Sequence, residues 1–99
     1  MSEHTLQIQE SPRGLFLRVR LSLRDGLHTR PAARIAQTAQ QFESDILLIG
    51  DTGEVDAKSL LDVLSLAPPP NAELSLIAKG TDAHEALVTL ANLLDHLEA

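Results

Sequence analysis

The sequence predicts an α+β fold, a sheet with helices laid on one face and the other face left open. Three observations carry this. Apolar and polar residues alternate in two separated stretches, LFLRVRLSLR at 15–24 and AELSLIAK at 72–79. Three further segments show helical spacing, and the elements follow the order β-α-β-β-α-β-α, which interleaves helices with strands. At 99 residues the chain has room for one modest core, so a single domain is expected. Hydrophobic residues at 43% and charged ones at 22% place it with globular proteins rather than disordered tails.

Within 15–24, Leu15, Leu17, Val19, Leu21 and Leu23 share one face while Arg18, Arg20, Ser22 and Arg24 share the other, the pattern of a half-buried strand. Ala32, Ile35, Ala36 and Ala39 then fall at helical spacing, predicting a helix over 29–41 whose small residues allow close approach to a sheet. Asp45 to Ile49 reads as a strand, GDTG at 50–53 as a turn, and Glu54 to Ala57 as the returning hairpin partner. Ser59 stands three residues before Asp62, an N-cap pattern that starts a helix over 60–66. Pro68, Pro69 and Pro70 end it, since proline supplies no amide and pushes the preceding residue out of helical geometry.

The last strand runs over 72–79 with Leu74, Leu76 and Ala78 on one face, and Gly80 closes it. Asp82 with Glu85 predicts a capping box. Ala83, Ala86, Leu87, Leu90, Leu93, Leu94 and Leu97 then follow the 3.6-residue period of a final helix. Residues 1–13 carry little pattern beyond Leu6 and Ile8 and read as an N-terminal extension, a tail or edge segment, ahead of a domain over 14–99.

Composition excludes several functions. No apolar run approaches the ~20 residues that span a bilayer, and the N-terminus lacks the basic-then-apolar order of a signal peptide, so no membrane insertion and a cytoplasmic location are expected. With no cysteine there is no disulfide, no thiol chemistry and no cysteine-ligated metal. His4, His84 and His96 have no paired spacing near His28 and no carboxylate pair completes a site, so neither a metal nor a cofactor is expected. A net charge of -6 and only two aromatics, Phe16 and Phe42, argue against nucleic acid as a partner. No GxxxxGK[ST] phosphate loop occurs, which argues against autonomous use of ATP.

Charge is unevenly spread. Arg13, Arg18, Arg20, Arg24, Arg30 and Arg34 stand against one acid, Asp25, within residues 13–34, a local basic field suited to a small anion or an acidic protein surface. The stretch DGLHTRPAAR at 25–34 lies inside it. Gly26 permits a tight approach and Pro31 suits the first helical turn, which puts His28 at or beside the N-cap. There, free backbone amides and the positive end of the helix dipole favour an anion. Arg30 and Arg34 share a helical side and Arg24 arrives from the strand end, so a phosphate could receive charge-assisted hydrogen bonds. A neutral imidazole offers a ring nitrogen as nucleophile, which makes His28 a candidate phosphoryl acceptor.

These residues carry a resemblance. GLHTRPAA at 26–33, FESDILL at 42–48 and DAKSLLDVLSL at 56–66 resemble HPr, the histidine-containing phosphocarrier family of the bacterial phosphoenolpyruvate:sugar phosphotransferase system. The resemblance implies an open-faced β-sandwich across about residues 14–97, with a four-stranded antiparallel sheet and three helices on one face. It implies that His28 takes a phosphoryl group on Nδ1 from enzyme I and delivers it to enzyme IIA domains, with Arg30 stabilising the phosphate. A stoichiometric carrier of this kind is not an enzyme by itself, and a monomer is expected.

Ser59 matches the serine that HPr kinase/phosphorylase modifies in many relatives, although a serine N-cap is explained by backbone satisfaction alone. Leu60, Leu61, Val63 and Leu64 are too many for one stripe on a two-turn helix. An exposed share of them near His28 would form a docking surface, which makes Leu60, Leu61 and Leu64, with Arg24, Thr29 and Arg34, the candidate partner-binding residues. The alternative reading is a regulatory or nitrogen-branch HPr-like protein whose phosphorylation state controls partner binding. PPPN at 68–71, Asp62, and about a dozen residues ahead of the usual start depart from the family pattern.

Overall fold

The computed structural model describes residues 7–24 and 26–97; His4, Leu6 and Asp25 lie outside them. The elements are β1 (Gln9–Ser11), β2 (Gly14–Arg20), α1 (Thr29–Ala39), β3 (Asp45–Gly50), β4 (Gly53–Asp56), α2 (Leu60–Leu66), β5 (Glu73–Lys79) and α3 (Ala83–Asp95). All strand pairs are antiparallel, in the order β1-β2-β5-β3-β4.

Alternation sorts the two faces. Leu17 pairs with Leu76, which pairs with Leu48, and Val19 pairs with Leu74; these side chains are buried in one core with Ile35, Val63, Leu87, Leu90 and Leu94 of the three helices. On the opposite face the rows run Phe16, Ile77, Leu47 and Arg18, Ser75, Ile49, and none of these joins that core. The layer is the expected α+β sandwich with one open face.

Among the described residues the sheet has five strands rather than the expected four. Gln9–Ser11 pairs with the start of β2 through a turn at Pro12 and Arg13, closed by the Ser11 hydroxyl donating to the Gly14 carbonyl at 2.7 Å. Its sequence, QES, has no apolar alternation to announce it. Gly14 adopts φ +129°, and a Cβ there would lie 2.6 Å from the Ala78 carbonyl oxygen, so a side chain at this corner is excluded.

The strand predicted over 15–24 ends at Arg20. Beyond it the backbone finds partners outside the ladder: the Leu21 amide donates to the Ala72 carbonyl at 2.9 Å, and the Ser22 amide to the Leu94 carbonyl of α3 at 3.2 Å. Leu21 and Leu23 remain in the core, so the alternation records their burial while the pairing has already changed. Helix α1 stops at Ala39, two residues short of the predicted end, in a tighter turn where the Gln41 amide donates to Thr38 and the Phe42 amide to Ala39.

The capping box predicted at Asp82 does not form. Its carboxylate accepts instead from the Glu43 amide at 2.9 Å, from the Ser44 amide at 2.9 Å and from the Ser44 hydroxyl. Helix α2 behaves as predicted, with the Ser59 hydroxyl accepting from the Asp62 amide.

Candidate functional site

His28 is the N-cap of α1, in extended backbone with φ -125° and ψ -174°, and its side chain makes no capping hydrogen bond. Its carbonyl begins the helical ladder by accepting from the Ala32 amide at 3.0 Å. The following amides of Thr29 and Arg30 precede that first bond, and buried Pro31 has no amide to satisfy, so this turn presents donors outward. The imidazole is exposed, as are Arg24, Thr29, Arg30 and Arg34.

A concavity of about 470 Å³ is lined by Leu23, Arg24, His28, Arg30, Pro31, Arg34 and Leu97. Three of the arginines singled out from the sequence therefore converge on the histidine, while Thr29 does not line the hollow. Guanidinium groups around an exposed ring nitrogen supply charge and forked donors where a phosphoryl group would sit. Leu97 was legible only as a member of the last apolar stripe; it lies just past the end of α3 and floors the site.

The loop over 67–72 supports the segment before His28. The Asn71 amide donates to the Leu23 carbonyl at 3.1 Å, and Ala67 and Asn71 take positive φ, 44° and 58°, to turn the chain. Gly26 has φ +77°, and a Cβ there would come within 3.5 Å of the Pro68 carbonyl oxygen. The PPPN sequence thus serves as a brace for the approach to α1.

Helix α2 packs against α1 and β4. Val63 and Leu66 are buried, Leu60 and Leu64 are half-buried against the core, and Leu61 stands 76% exposed. Only one of the three leucines assigned to docking is therefore free of the core; the other two show partial faces. Ser59 is half-buried at the start of this helix, and Asp62 is exposed in its first turn.

An exposed N-cap histidine whose hollow is shared with three arginines, on an open-faced sandwich, has the features of a small phosphate-carrying protein. The chain belongs to the HPr family of phosphocarriers of the phosphotransferase system: residues 17–96 match the family described as "PTS HPr component phosphorylation site". It is 45% identical over 74 residues to the HPr-like protein Crh of Bacillus subtilis, covering 75% of this chain and 87% of Crh. It is 43% identical over 75 residues to the phosphocarrier protein HPr of Treponema pallidum, covering 76% of this chain and 85% of the relative. Among solved structures it is similar to HPr from Bacillus anthracis, with a TM-score of 0.75 and 39% identity over 80% of this chain and 94% of that one. No helix among the described residues is long and apolar enough to cross a membrane.

Proposed function

We propose that the chain works as a cytoplasmic phosphocarrier in which His28 is the phosphoryl acceptor. Phosphorylated enzyme I is the donor and enzyme IIA domains are the recipients. A lone pair on the His28 ring attacks phosphorus, the bond from phosphorus to the donor breaks, and the group leaves again by the same displacement on the recipient. Arg30 holds the phosphoryl oxygens during both displacements, and Arg24, Thr29 and Arg34 with the α2 leucines meet the partners.

The observation that supports this most is the exposed His28 imidazole, unused by the helix it caps, in a hollow lined by three arginines. The same observation favours phosphoryl transfer over a purely regulatory module, which has no need of a free imidazole. Incubation with phosphoenolpyruvate and enzyme I tests it: the wild type takes up acid-labile phosphate and His28→Ala takes up none while keeping its far-ultraviolet circular dichroism. Acid-labile phosphate persisting on the folded variant overturns the assignment.

Ser59 is a second, regulatory site on this reading, modified by an HPr kinase/phosphorylase. The carrier acts as a monomer, because β1 covers part of the one strand edge on that side of the sheet that would otherwise be open.

A further inference from the structure

The ladder between β2 and β5 ends at Arg20 and Glu73, and the chain then turns an elbow toward α1. The Leu23 amide donates back to the Leu21 carbonyl at 2.9 Å, a γ-turn centred on Ser22. Amides of Leu21 and Ser22 tie the elbow to Ala72 and to Leu94, and the Leu23 carbonyl accepts from the Asn71 amide at 3.1 Å. We propose that Asn71 is a positioning residue of the phosphoryl site: a type II turn aims its amide at the Leu23 carbonyl and so sets where Arg24 enters the hollow. The proposal deepens the carrier reading above and rests on it.

Turn chemistry makes the aim specific. The Ala72 amide donates to the Pro69 carbonyl at 3.2 Å, so residues 69–72 form a β-turn with Pro70 and Asn71 at its centre. Proline presets φ for the first central position, and Asn71, at φ 58°, supplies the left-handed value that a type II turn requires at the second. Types I and II differ by a half-rotation of the peptide between the two central residues, and the N–H of that peptide is the amide of Asn71 itself. In the type II form it meets Leu23; in the type I form it would point away, while the closing bond from Ala72 to Pro69 survives. Asparagine tolerates positive φ and a β-branched residue does not. The side chain at 71 therefore decides whether Leu23 keeps its donor without deciding whether the loop closes.

Arg24 feels the difference directly. The Leu23 carbonyl and the Arg24 amide belong to one planar peptide, so holding the first orients the second and the bond from which the arginine side chain leaves. Leu23 is buried and Arg24 exposed, and both line the hollow beside His28. With the turn flipped, Leu23 stays packed but its peptide is free to rotate, and the guanidinium loses its fixed place. Since Arg24 meets the partners while His28 and Arg30 carry the displacement, the loss falls on recognition rather than on the chemical step.

Steady-state transfer from phosphorylated enzyme I tests this. Asn71→Val should raise KM about fivefold and leave kcat within about twofold, whereas Asn71→Gly, which keeps both the amide and the left-handed backbone, should match the wild type. In an Arg24→Ala background Asn71→Val should add nothing, because the two act as one unit. Amide exchange gives a readout independent of partners: the residue 71 amide should be slow in the wild type and in Asn71→Gly and fast in Asn71→Val. If Asn71→Val does not fold, Asn71→Ala makes the same change in milder form and is judged by the same outcomes. A folded Asn71→Val with wild-type KM, an effect that adds in full to Arg24→Ala, or a fall in kcat at constant KM overturns the positioning role and leaves the carrier reading standing. Phosphoryl uptake that survives His28→Ala overturns the carrier reading itself, and the proposal with it.

Discussion

Asp82 is bonded to Ser44, 38 residues earlier in the chain, through both the amide and the hydroxyl of that serine. The residue that opens α3 is thereby clamped to the segment leading into β3, where Ser44 is buried. Gly80 completes the junction, since a Cβ there would fall 2.5 Å from the Ser44 hydroxyl oxygen. The site lies at the far end of β2 from this clamp, so its effects separate cleanly from those of the phosphoryl pocket.

The clamp predicts an acid limb in stability. Hydrogen bonds from the Ser44 hydroxyl first, and then from the Glu43 amide, hold the Asp82 carboxyl below its ordinary range against a smaller opposing effect of desolvation. A lowered value in the folded state means that the stabilisation is complete above the unfolded value of about 4 and is lost as pH falls through the folded one. Urea unfolding between pH 7 and pH 2.5 should show a shallower acid decline for Asp82→Asn than for the wild type. Ser44→Ala should lower stability at pH 7 and flatten the acid limb in the same way, because it removes the hydroxyl that donates to this carboxylate. Parallel pH profiles for wild type and Asp82→Asn would remove this account.

Arg30→Ala should slow phosphoryl transfer from enzyme I by about tenfold or more without a measurable change in Tm. The side chain is exposed, so its loss leaves no cavity, whereas a displacement at phosphorus loses a charged donor. Because the pocket is open, the penalty falls short of the roughly 10²–10³-fold typical when such a donor is lost from a water-excluded site. Rapid-quench labelling alongside thermal melts checks both halves, and equal transfer rates would reduce Arg30 to ordinary surface.

Leu61→Ala should weaken binding to enzyme I or an enzyme IIA domain by about tenfold, about 1.4 kcal/mol, with stability unchanged. At 76% exposure it has almost nothing to lose on truncation in the free protein, whereas Val63→Ala at the buried face should lower stability. Calorimetric titration of each variant separates docking from packing. An unchanged affinity for Leu61→Ala would move the docking surface off α2.

What was readable in the chain, and what was not, divides along the range of the interactions. Helix α2 keeps its predicted bounds because both ends are local: a serine that caps, and prolines that cannot continue. The position of His28 at the N-cap of α1 was readable for the same reason, since Gly26 and Pro31 sit within a few residues of it. Strand β1 was unreadable, because QES has no apolar periodicity and is held by its turn and by a pair between Arg13 and Glu54, 41 residues away. Asp82 misled for a related reason: two amides and a hydroxyl from a distant loop compete with the local cap and win. The alternation through Leu23 reported burial correctly, but the carbonyls of Ala72 and Leu94 decide where the ladder stops.

Ser59 and Asp62 yield paired predictions of opposite sign. The Ser59 hydroxyl accepts the Asp62 amide at 3.3 Å, a long bond for a cap, so Ser59→Ala should cost about 0.5–1 kcal/mol, the lower part of the usual range. It should abolish acid-stable phosphate added by HPr kinase/phosphorylase while leaving acid-labile phosphate on His28 untouched. The exposed Asp62 carboxylate stands three residues along in the same first turn, where it opposes the arrival of a second negative group at the serine. Asp62→Asn should therefore accept phosphate at Ser59 several-fold faster than the wild type, with the difference shrinking as salt is raised. Time courses with the kinase and ATP at two ionic strengths measure this directly. Acid-stable phosphate on Ser59→Ala would place the modification elsewhere, and an Asp62→Asn rate equal to the wild type's would show that this carboxylate does not govern access to the serine.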